Sequence, residues 1–152
     1  MWQRIQTVFL ILAALAGAAL FLENMDLARI TSQADLTMSH PMIADGAFDV
    51  FDLPVLEVLA VLQVLLALLA IFLFKNRRLQ MRVVGLAVLA VLIFGLAAAY
   101  YFFEEYDTVR EQAGAVAGAG VVLPLVALVS LLLANRFIKR DDRIVRSADR
   151  LR

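Results

Sequence analysis

The sequence predicts an all-α membrane protein: a four-transmembrane-helix up-down bundle that ends in a cytoplasmic amphipathic C-terminal helix. Three observations predict it. Hydrophobic residues make up 63% of the 152 and charged residues only 18%, against about half and about a quarter in a soluble domain. The apolar excess is gathered into four blocks, each long enough to cross a bilayer. The charges between the blocks sort by sign, basic on one side and acidic on the other.

A helix rises about 1.5 Å per residue, so a hydrocarbon core ~30 Å thick takes roughly 20 apolar residues to cross. The first block covers residues 5–22, with Gln6 and Thr7 polar at its start. The second covers 53–74 and the third 83–103, the latter without a charge. The fourth covers 119–138 and turns polar at Asn135 and Arg136. All four are apolar all round, which leaves no wetted face in water and suits lipid. A barrel strand would need about 10 residues of alternating polarity, which these blocks lack. The competing reading of the first block is a cleaved signal peptide, with Trp2-Gln3-Arg4 as its basic start and Ala16 and Ala18 near a cleavage point. The length of the run and the charge scheme favour a retained helix.

Basic residues of short loops stay on the cytoplasmic side. Placing the N-terminus, the inner loop 75–82 and the C-terminal stretch from Arg136 onward, which includes the tail 139–152, on that side puts twelve of the fourteen Lys and Arg there. Only Arg29 and Arg110 fall outside. Ten of the fourteen acids fall in the outer loops 23–52 and 104–118, three in the tail, and Glu57 within a span. The expected location is therefore the bacterial inner membrane, multi-pass, with both termini cytoplasmic, as one transmembrane domain over 1–152. Tyr100, Tyr101, Phe102, Phe103 and Tyr106 crowd the outer end of the third span, where aromatic rings favour the interface.

In the first outer loop Asp45-Gly46 signals a turn. Residues 47–52 partly alternate and are placed to pair with 27–31 as a short hairpin. Asp52 followed by Pro54 resembles a helix start. In the tail, Phe137, Ile138, Ile144, Val145, Ala148 and Leu151 recur at helical spacing, and Asp142 precedes Arg146 by four residues, a favourable pair. The tail is expected to extend the fourth helix or to bend onto the membrane.

Two polar residues of the second span are candidates for chemistry. Glu57 lies one turn past Pro54, near the outer interface, where a carboxylate reaches water and the positive helix N-terminus. That structural role is favoured over an ion or proton pathway. Gln63 lies deeper, about 240° around the helix from Glu57, and an interhelical hydrogen bond is its favoured use. Ala13/Gly17, Ala14/Ala18 and Gly114/Gly118 are small pairs at four-residue spacing, a weak packing signal in so alanine-rich a chain. Pro124 falls early in the fourth span, where it costs little.

No cofactor is implied, and no enzyme. Cysteine is absent and His40 is the single histidine, so thiolate chemistry and a multi-histidine metal site are excluded within one chain. His40 with Asp35 and Asp45 offers too few ligands and reads as a solvated loop residue. No phosphate loop, nucleophile elbow or zinc motif occurs. The basic tail is too short to suggest nucleic acid.

Three segments carry a resemblance: the opening MWQRIQTVFLILAA, the inner loop IFLFKNRRLQMR and the ending LANRFIKRDDRIVRSADRLR. Over its whole length the chain resembles a family of small four-span membrane proteins of Bacteroidetes-type bacteria, classed as a domain of unknown function. The resemblance implies an inner-membrane location and supplies no activity, cofactor or catalytic residue.

Two functions compete. One is a non-enzymatic scaffold or accessory subunit, with a basic cytoplasmic docking face formed by Lys75, Arg77, Arg78, Arg82, Arg136, Lys139, Arg140, Arg143, Arg146 and Arg150. Its expected partners are the bilayer, anionic lipid headgroups, a membrane-protein partner or a second copy. The other is a small transporter or channel subunit using Glu57 and Gln63.

Overall fold

The computed structural model describes residues 2–32, 46–109 and 113–149. His40, Asp35, Asp45, Arg110 and Arg150 lie outside them. Four helices dominate: α1 (Trp2–Ala19), α2 (Pro54–Phe72), α3 (Arg77–Val109) and α4 (Val122–Asp149). Three short strands accompany them: β1 (Ala28–Ser32), β2 (Ala47–Phe48) and β3 (Ala113–Ala117). Among the described residues, three stretches are long and apolar enough to cross a membrane, Pro54–Lys75, Arg77–Asp107 and Ala119–Val145, and α1 carries a shorter apolar run, Ile5–Ala19.

The helices lie side by side in a ring: α1 packs on α2 and α4, and α3 packs on the same two. The pairings α1 with α4 and α2 with α3 are the most extensive. The packing is inverted relative to a soluble protein. Small residues point inward: Ala13, Ala60, Ala67, Ala87, Ala127 and Ala134 are buried. Large ones point outward, among them Val58, Leu65, Phe72, Leu96 and Leu132. Burying alanine gains little apolar transfer energy but lets backbones approach closely, which is how helices associate in lipid. In water this outer surface would be a large apolar patch.

Each helix end has a local cause. Past Ala19 the first helix tightens: the amides of Leu20, Phe21 and Leu22 donate to the carbonyls three residues back, at 3.2–3.3 Å. Asn24 then takes a left-handed conformation, φ 67°, which asparagine tolerates better than most residues. Pro54 opens α2 at its first position, where its missing N–H costs nothing. The helix thus starts where Asp52 followed by Pro54 places it, and Asp52 also shapes the loop that leads in. Its carboxylate accepts the Asp49 amide at 2.6 Å, and Asp49 in turn accepts the Phe51 amide at 2.6 Å. The two aspartates shape the loop, and the residue preceding the helix, Leu53, makes no side-chain cap.

The end expected to face outward, here the outer end, holds a three-stranded antiparallel sheet, β2-β1-β3. The expected hairpin exists, with Ala28 opposite Phe48 and Arg29 opposite Ala47, although β2 has only two residues. The longer pairing, Ala28 opposite Ala117 through Ser32 opposite Ala113, joins the two outer loops and was not expected. Gly118 explains how they close: its amide donates to the Leu27 carbonyl at 3.0 Å. A Cβ there would overlap the Asp26 carbonyl. Below the sheet, Phe48 and Val50 plug the helix ends, packing with Leu20, Leu56 and Phe94. The third helix also runs six residues past Phe103, to Val109, and α4 continues as one helix through the tail to Asp149.

Candidate functional site

The opposite end, expected to face the cytoplasm and here the inner end, is built around the turn between α2 and α3. A single 3-10 turn, Leu73–Lys75, carries the chain from one helix to the other. Asn76 precedes α3, and its side-chain oxygen accepts the Leu79 amide at 3.2 Å. This is an N-cap, which satisfies one of the unpaired amides of the first turn. Gln80 reaches back across the turn and donates from Nε2 to the Ala70 carbonyl at 2.9 Å. Ala70 lies in the last turn of α2, where carbonyls lack a full set of helical partners. Gln80 is fully buried, and its Oε1 has no protein partner among the described residues.

Two contacts fasten α4 to this turn. Phe137 stacks on Phe9 of α1, ring centres 5.5 Å apart and planes within 9°, and Ile138 beside it is fully buried. Arg77 Nη2 lies 2.9 Å from Asp141 Oδ2, with the two side chains 22% and 15% exposed. The angles are not those of a hydrogen bond, so Coulomb attraction in a partly shielded setting holds this pair.

These contacts bring three basic segments to one end of the molecule: the start of α1, the turn with its flanking Lys75, Arg77, Arg78 and Arg82, and the tail of α4. Lys75, Arg78, Arg82, Arg136, Lys139, Arg140 and Arg143 are exposed there, and the half-buried Arg77 lies in its ion pair with Asp141. A hollow of about 580 Å³ opens along α4 beside Asn135, Arg136, Lys139, Arg140 and Arg143, with Leu132 at its upper edge. The opposite end carries Asp26, Asp49, Asp52, Glu57, Glu104, Glu105 and Asp107. Arg29, the exposed cation of β1, pairs with Asp26 at 2.5 Å.

The two candidate residues within the spans are not brought together. Glu57 is exposed in the first turn of α2. Gln63 is buried against α1, and its Nε2 donates to the Ala13 carbonyl at 2.9 Å. Gly17 makes room for it, since a Cβ there would overlap Gln63 Oε1 and lie 2.8 Å from Val64. The Ala13/Gly17 pair is thus the seat of Gln63. The void beside it, bounded by Leu59, Val91 and Ala127, measures about 10 Å³, at the lower limit for a single water. A larger apolar groove of about 530 Å³ lies at the outer end between α3 and α4, floored by Gly95 and Ala99 and roofed by Ala115 and Val116.

Sequence reasoning missed Gln80 and Asp141. Gln80 sits in a run of basic residues and reads as one more surface polar. Asp141 was passed over for its neighbour Asp142. Asn76 carried a legible signal, a capping residue one position before a helix. Among the described residues, no group of three or more acidic or histidine side chains is placed to hold a metal ion.

A mostly helical chain with membrane-compatible helices, small residues inward, one basic and one acidic end defines the class. The chain belongs to the family described as Domain of unknown function (DUF4293), which it matches over residues 2–151. No curated protein and no solved structure matches it.

Proposed function

We propose that the chain is a four-span inner-membrane protein with both ends in the cytoplasm, acting as a non-enzymatic scaffold or accessory subunit. Its docking face is the basic inner end. One observation carries this reading: the packed helices collect the exposed cations at one end, while Asp141 beside them is occupied by Arg77. The resemblance to four-span proteins of Bacteroidetes-type bacteria and the positive-inside tendency support the orientation. With α1 as a span, both termini fall on the same side as the inner turn.

A docking face of this kind serves an acidic surface. The test is gentle extraction of the native membrane and mass determination of the complex. The expected result is a stoichiometric assembly, with a membrane-protein partner or a second copy, that dissociates when Lys75, Arg78 and Lys139 are changed together to Gln. An intact assembly in that variant would overturn the docking face.

A further inference from the structure

We propose that the outward face of α4 at the inner end binds the phosphate of an anionic phospholipid, with one acyl chain lying along Val129 and Leu132. The inference rests on the reading of a basic docking end and names its ligand.

Between Val122 and Arg143, the exposed residues of α4 form one stripe. At 100° per residue, positions 122, 125, 129, 132, 136, 139, 140 and 143 fall within a sector of about 100°. All eight are exposed, while Ala127, Leu131, Ala134 and Ile138 on the other side are buried. The stripe is apolar as far as Leu132 and then changes to Arg136, Lys139, Arg140 and Arg143 with no change of direction. The cations therefore face the side that the apolar residues present to lipid.

Depth agrees. The Arg77–Asp141 pair puts these two positions of α3 and α4 at one level. Five residues further into the body on each helix, about 7.5 Å, Arg82 and Arg136 fall at a common level, and both are exposed. Two neighbouring helices thus change from apolar to basic at the same depth. Long basic side chains reach from such a position to the headgroup layer while their stems stay in the apolar phase.

Charge complementarity selects the ligand. The nearest carboxylates of α4 point elsewhere: Asp141 lies about 150° from the middle of the stripe, against Arg77, and Asp142 lies about 110° away, beside Arg77 and Arg78. The hollow along the stripe is lined by cations, Asn135 and Leu132 alone. An anionic oxygen cluster below an acyl chain matches that order of groups, and guanidinium forks suit phosphate oxygens. A soluble acidic protein would match the cations but leave Val129 and Leu132 to lipid.

The test uses the full chain in defined bilayers. Trp2→Phe combined with Leu132→Trp leaves one tryptophan on the stripe. Its quenching by brominated phosphatidylglycerol is compared with that by brominated phosphatidylcholine. The expected relative association is roughly threefold to tenfold in favour of phosphatidylglycerol. Changing Arg136, Lys139 and Arg143 together to Gln should bring it to about one, because the cations that attract the anionic headgroup are removed. Arg29→Gln, a cation at the opposite end of the molecule, should leave it unchanged, and Arg136→Lys with Arg143→Lys should retain it. Millimolar glycerophosphate should not compete, which separates the lipid from a free phosphate. A ratio near one in the starting protein, or an undiminished ratio after neutralisation, overturns the proposal. Loss of the native assembly in the Lys75, Arg78 and Lys139 variant, with a ratio near one in the starting protein, would retain the docking face and remove only its lipid ligand.

Discussion

Gln63 is held from two directions. Its amide gains an acceptor in the Ala13 carbonyl, and its side chain occupies space that exists because residue 17 lacks a Cβ. Position 17 is therefore tied to position 63. Gly17→Ala should cost about 1–3 kcal/mol through overpacking, measured by unfolding in mixed micelles. Gln63→Ala should cost about 1–2 kcal/mol through the lost hydrogen bond and the cavity. The double variant should fall short of the sum by about 1 kcal/mol, because removing Gln63 leaves only Val64 to meet the new methyl. Strict additivity would show that the close approach does not couple the two. The same logic applies across the inner end. Arg77→Ala and Asp141→Ala should each destabilise, with a coupling of about 1 kcal/mol that weakens as salt is raised. A coupling near zero would mark the pair as incidental.

At the scale of elements, the inner turn shows why a run of polar residues looked specific. Asn76 caps α3, Gln80 serves the last turn of α2, and Arg77 fastens α4. Part of the motif-like sequence is thus structural, and the proposed docking face draws on the exposed cations beside it. Asn76→Ala should cost about 1 kcal/mol and raise hydrogen exchange of the amides of 77–80 roughly fivefold, whereas Arg78→Ala should leave those amides unchanged. Equal exchange in both variants would contradict the cap. The helices were legible because hydropathy blocks depend on composition alone, and Pro54 gave one boundary outright. The pairing of β1 with β3 was not legible. Its strand reads Ala-Gly-Ala-Val-Ala, without the aromatic and branched residues or the alternation that mark a strand. Its place is set by backbone approach at Gly118, which no periodicity reports. The extension of α3 beyond Phe103 was hidden similarly, since Glu104, Glu105 and Asp107 ended the apolar block but not the helix.

At the scale of the whole molecule, charge polarity and inverted packing make one statement. Alanines turned inward and a largely aliphatic outer surface give a body compatible with surrounding lipid, and a basic end opposite an acidic end gives that body a direction. Neither property depends on Gln63, Gln80 or the sheet, so orientation is testable apart from stability. The chain has no cysteine, so each introduced thiol is the only one. A membrane-impermeant maleimide added to intact spheroplasts should label Glu23→Cys and Asp107→Cys at the acidic end. It should reach Arg78→Cys and Arg143→Cys only after permeabilisation. The first helix is decided by the N-terminal partner of this set. Gln3→Cys should behave like Arg143→Cys if α1 crosses, because four crossings return the tail to the side on which the chain began. Labelling of Gln3→Cys in intact spheroplasts, with Arg143→Cys still protected, would leave three spans and place α1 as a helix packed on α4 without crossing.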